Sequence, residues 1–104
     1  MIAKVNVELE LVTLKKVYVE LWDRDLLQDD LIESQIIENS GLVEFIFSTQ
    51  KSGELNPELE IRVKDESGFE VYKSKVDHSL EAFKVNNITG FVENTTVTFE
   101  KIIL

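Results

Sequence analysis

The chain has 104 residues, 43% hydrophobic and 30% charged, with twenty acids against eleven bases and a net charge of −9. That length bounds a single domain, residues 1–104, large enough to bury a core, and the absence of cysteine excludes disulfides and thiolate metal sites. The acidity excludes a nucleic-acid binder, whose phosphate contacts need clustered Lys and Arg, and disfavours docking on anionic lipid unless calcium bridges the two.

The start, MIAKVNVELELV, alternates in place of an apolar signal core. Val5, Val7, Leu9 and Leu11 fall on one face, with Asn6, Glu8 and Glu10 on the other, the period-two pattern of a half-buried strand. Glu8 and Glu10 would guard this strand as an edge against pairing with other chains. KVYVELW repeats the pattern, with Val17, Val19 and Leu21 against Tyr18, Glu20 and Trp22. An acidic loop should follow, with Leu26, Leu27, Leu31 and Ile32 folding it back onto the body. LLQDDLIESQII comes close to helical spacing, which leaves a short helix open there.

ENSG, residues 38–41, reads as a hairpin turn, and LVEFIF places Val43, Phe45 and Phe47 on one face. KSGELNP is a loop whose Pro57 should stand at a strand start. ELEIRVK alternates most cleanly, with Leu59, Ile61 and Val63 inward and Glu58, Glu60, Arg62 and Lys64 wet. DESG, residues 65–68, is a hairpin turn with Gly68 at positive φ, leading into FEVYKSKV. AFKVNNI and TTVTFEKIIL complete the set, and TTVTF is β-branched or aromatic as strands prefer. No charged guard protects KIIL, so this segment should be buried or lie at a contact between two copies, a homo-oligomer. Seven or eight short strands at this spacing predict an all-β, antiparallel Greek-key β-sandwich.

Asp23, Asp25, Asp29 and Asp30 crowd one stretch. Hard cations take several carboxylate and carbonyl oxygens, so this loop would offer calcium three or four ligands, outside the helix–loop–helix pattern, which needs a central Gly and a closing Glu. The alternative is a solvated loop in which one Asp caps a turn and Arg24 pairs with a neighbouring acid. Catalysis by paired carboxylates needs contrasting environments, which a wet loop does not provide. His78, beside Ser79, is the sole histidine, and nothing marks an orienting acid or oxyanion hole. Trp22 reads as a packing residue at a strand end, against a binding aromatic. NIT at Asn87 and NTT at Asn94 match the glycosylation triplet.

VYVELWDRDLLQDDLIESQIIENSGLVEF resembles the signature of transthyretin-like domains: a V-x-V-x-L-W strand, an acidic D-D-L loop, a polar turn with Gly and an aromatic strand. NPELEIRV resembles that family's next strand, and ITGFVENTTVTFEKIIL takes the place of its last. The resemblance covers the chain from Lys16 onward and implies a prealbumin-type Greek-key sandwich. The cysteine pairs of its nematode members are missing, and so are the terminal Tyr-Arg-Gly-Ser and N-terminal histidines of its hydrolases, so those activities are not implied. VELWDRDLLQDDLIES also resembles the calcium-dependent lipid-binding sandwiches of the protein kinase C type. In that reading Asp23, Asp25, Asp29 and Asp30 form half a calcium cradle, with Asp65 and Glu66, or Asp77, as thin candidates for the rest.

The expectation is a non-enzymatic, acidic interaction module with no required cofactor, engaging a protein or polymer partner, with −9 suggesting a cationic one. The alternative is a calcium-binding sandwich docking to membrane or protein through the Asp23–Asp30 loop.

Overall fold

The structure, a computed structural model, describes residues 2–25, 27–48, 58–79 and 95–104. The predicted strand AFKVNNI, the KSGELNP loop with Pro57, Leu26, the NIT triplet and Asn94 of the NTT triplet lie outside the described residues. Eight strands are found among the described ones: β1 (Ile2–Glu10), β2 (Val17–Asp23), β3 (Asp30–Ile37), β4 (Gly41–Ser48), β5 (Leu59–Lys64), β6 (Glu70–Lys73), β7 (Thr95–Thr98) and β8 (Ile102–Ile103). They form two sheets, one ordered β3-β2-β5-β6 and the other β4-β1-β7, with β8 also pairing β1.

Alternation builds the core. Val5, Val7 and Leu9 of β1 and Val43, Phe45 and Phe47 of β4 meet Val17, Val19 and Leu21 of β2 and Leu59, Ile61 and Val63 of β5 in one buried cluster. Each sheet therefore hides one face on the other, as a sandwich must. β2–β3 and β5–β6 are hairpins, while β4 and β5 return across the sandwich to pair β1 and β2, so connectivity is of Greek-key kind.

Three expectations are corrected. The β3-β2-β5-β6 sheet is antiparallel throughout, but β1 pairs β7 and β8 in parallel, so the second sheet is mixed. Alternation is the same in either direction and cannot show this; a parallel pair needs a long crossover, which the chain between β1 and β7 supplies. β1 is also no edge: β4 lies on one side and β7 and β8 on the other, and Glu8 and Glu10 pair with Lys101 at 3.9 and 3.0 Å. Residues 30–37 of the stretch near helical spacing form strand β3 and not the helix left open there. A bulge opposite Leu21 and Trp22 drops Ile32 into the core, whereas Leu27 stays exposed and Leu31 half-exposed, so those leucines do not fold the loop back.

The DESG turn follows expectation, and so does Ile102 of the final segment, whereas ENSG joins β3 to β4 in the other sheet and closes no hairpin, and Ile103 is exposed. Gly68 has φ +86°, and Asp65 Oδ1 accepts the Ser67 and Phe69 N–H groups at 2.9 and 3.0 Å, the local bonding that suits Asp to turns. Ile102 is buried, and the Leu104 N–H donates to the Glu10 carbonyl at 2.8 Å.

Candidate functional site

Side chains at alternate positions of β2, β3, β5 and β6 face away from the core and form the outer surface of that sheet. The register sets them in rows: Ile36, Tyr18, Lys64 and Glu70; then Ser34, Glu20, Arg62 and Lys73; then Leu31, Trp22 and Glu60. Leu31 and Ile36 make the β3 flank apolar and exposed. Aromatic residues hold the middle, and charge dominates the β5–β6 side.

Glu60 is the hub. It lies on the face that alternation assigns to solvent, yet it is buried to 1% exposure. Arg62 Nε donates to its Oε1 at 2.5 Å, and Arg24 and Lys73 stand 3.7 and 3.8 Å away. A carboxylate so enclosed persists only with such cations around it. The Arg62 guanidinium lies 4.5 Å over the Trp22 ring centroid, within cation–π range. Trp22 Nε1 donates to Glu20 Oε1 at 3.1 Å, and Lys64 pairs with that same oxygen at 3.3 Å.

The acidic loop joins this cluster from its end. Asp29 Oδ2 accepts from Arg62 Nη2 at 2.5 Å, and Oδ1 accepts the Asp25 backbone N–H at 3.3 Å. The Arg62 hydrogen bond is the main reason the Asp29 carboxyl is held below the usual aspartate range. Burial works against the charge of Arg62, but the Asp29 and Glu60 carboxylates outweigh it and keep the guanidinium more firmly protonated than a free one. Asp23 points into the sandwich, fully buried, and accepts the Glu58 N–H at 3.2 Å. Asp25 and Asp30 are exposed. Thus Asp29 is drawn to Arg62 and Asp23 to the β5 start. Among the described residues no three His, Cys, Asp or Glu side chains gather into a group able to hold a metal ion.

The other candidates fall elsewhere. His78 is exposed, and Ser79 donates its backbone N–H to Asp77 Oδ1 at 2.8 Å. A groove of about 380 Å³ borders Tyr72, Ser74, Asp77 and Phe99, and neither His78 nor Ser79 lines it. The Ser74 hydroxyl there accepts the Ile61 N–H at 2.9 Å and donates to the Lys75 carbonyl at 2.8 Å, so both its roles go to the backbone. Sequence reading missed Glu60 and Arg62 as a pair. The available signal was Arg62 and Glu60 on one strand face, in register with Glu20 and Trp22 once β2 and β5 pair.

No protein-family model matches this sequence, and no curated protein matches it. Among solved structures, a 9R-lipoxygenase from Cyanothece PCC8801 is similar over 97% of this chain, with 22% identity and a TM-score of 0.53. The chain spans 16% of that protein's length. The likeness is one of fold, and it places this chain among β-sandwich domains.

Proposed function

We propose that this chain is a non-enzymatic β-sandwich interaction module, and that it engages a protein partner through the outer face of the β3-β2-β5-β6 sheet. One observation carries the reading: buried Glu60 holds Arg62, which covers the Trp22 ring, and draws Arg24 and Lys73 to it, on a surface where a sheet face needs no such order. Fixed Arg and Trp side chains lose little freedom on binding, and both are favoured anchors at interfaces. Leu31 and Ile36 add exposed apolar area beside them. The order of strand, acidic loop, glycine turn and aromatic strand supports kinship with transthyretin-like sandwiches in particular.

The test compares what the immobilised domain retains as wild type, as Lys64→Glu/Lys73→Glu, and as Lys4→Glu on the other sheet. The expected result is a protein bound by the wild type and by Lys4→Glu but lost with the double variant. Retention unaffected by the double variant and abolished by Lys4→Glu would move the site to the opposite face.

A further inference from the structure

Resting on that docking face, we infer that its occupant is an extended segment of another protein that carries an apolar side chain followed by carboxylates. The layering of the charge cluster leads there. The acids lie beneath: the Glu60 and Glu20 side chains are 1% and 10% exposed. The cations lie on top: Arg24, Lys64 and Lys73 are 46%, 35% and 47% exposed. Over β2 and β5 a visitor therefore meets N–H donors above buried acids, with the exposed acids of this face, Glu70 on β6 and the partly exposed Asp29, at its margins. This is the reverse of what the net charge of −9 alone suggests.

Geometry sets the spacing of the visitor. β3 and β6 stand at opposite edges of this sheet, three strand intervals apart, or roughly 14 Å. An extended chain crosses that distance in about four residues. An apolar side chain resting on Ile36 thus places groups about three residues later over Lys64 on β5 and about four later over Lys73 on β6. Sugar polymers, the other ligands suited to an aromatic sheet face, need an open ring to stack on. Here the Arg62 guanidinium occupies the Trp22 ring at 4.5 Å, which favours a peptide carboxylate over a sugar.

The experiment is calorimetric titration of the full chain with three probes. These are a short peptide with leucine at one end and aspartates about four residues on, the same peptide with asparagines for aspartates, and a polyuronate. The expected result is saturable binding of the acidic peptide, with Kd raised about tenfold by the asparagine exchange and again by Lys64→Gln/Lys73→Gln. Lys4→Gln, on the opposite sheet, leaves it unchanged. Equal binding of the asparagine peptide would overturn the carboxylate preference and leave the docking face standing. Tighter binding of polyuronate, or a flat titration with all three probes, would overturn the inference as a whole. Peptide binding that Lys4→Gln weakens and the double variant does not would overturn both the inference and the docking face.

Discussion

Glu60 and Arg62 are two positions apart on β5, so they share a face, and the contacts around them decide how that face behaves. Glu60→Gln keeps the shape and removes the charge that three cations surround. Because those cations remain partly in water, the expected loss is roughly 2 kcal/mol, below that of a fully buried pair. It would be read as a lower urea midpoint at unchanged slope. Asp29 adds a pH dependence of known sign. Its folded-state pKa is lowered by Arg62, so its contribution is present above about pH 3.9 and is lost as pH falls through the lowered value. Asp29→Asn should flatten that part of an acid-denaturation profile, and an unchanged profile would disconnect Asp29 from Arg62. The same engagement bears on calcium: Asp29 would have to leave Arg62 to serve as a ligand. Calorimetric titration with calcium is expected to show no heat and no rise in Tm. A rise would restore the calcium-dependent reading of the Asp23–Asp30 loop.

At the scale of elements, the β5–β6 hairpin depends on one backbone position. Gly68 holds φ +86°, and although nothing lies within 4 Å of a Cβ built there, an L side chain at that φ is strained. Gly68→Ala should cost about 1 kcal/mol, measurable by thermal melting, and a neutral result would mean the turn relaxes to another form. The two sheets are tied where β3 passes to β4, since Gln35 Nε2 donates to the Glu44 carbonyl at 2.6 Å. That bond occupies an acceptor on β4, an outer strand of its sheet, and so blunts it as a pairing site. At the other side, Lys101 is held above its usual pKa by Glu10 and Glu8. A raised pKa means its contribution is complete below about pH 10.4 and is lost as pH rises through the higher folded value. Lys101→Gln should remove that alkaline loss.

Across the whole molecule, a single layer of side chains joins the sheets. Phe45, fully buried, is among the largest of them. Phe45→Ala is expected to cost about 3–5 kcal/mol, a large share of the roughly 5–15 kcal/mol that holds such a domain folded. The layer was legible in the sequence because burial on one face writes itself as period two, and Val17, Val19, Leu21, Val43, Phe45, Phe47, Leu59, Ile61 and Val63 all sit inward as their spacing predicts. Strand direction was not legible, since β1 buries Val5 and Val7 equally well beside a parallel or an antiparallel neighbour. The bulge that sends Ile32 inward also escaped, because one extra residue shifts the phase of the pattern. The charge cluster stayed hidden for a related reason: Glu20 and Asp29 are distant along the chain from Glu60 and Arg62, and they meet only once β2 pairs with β5 and the acidic loop reaches Arg62.

Trp22 is the only tryptophan in the chain, so its emission reports from the middle of the proposed surface. The most direct measurement is collisional quenching of that emission by iodide and by caesium at equal ionic strength. With cations outermost over buried acids, iodide is expected to quench more strongly than caesium, and Lys64→Gln/Lys73→Gln should narrow the difference. A protein of net charge −9 without that layering would attract caesium instead. Stronger quenching by caesium in the wild type would contradict the account.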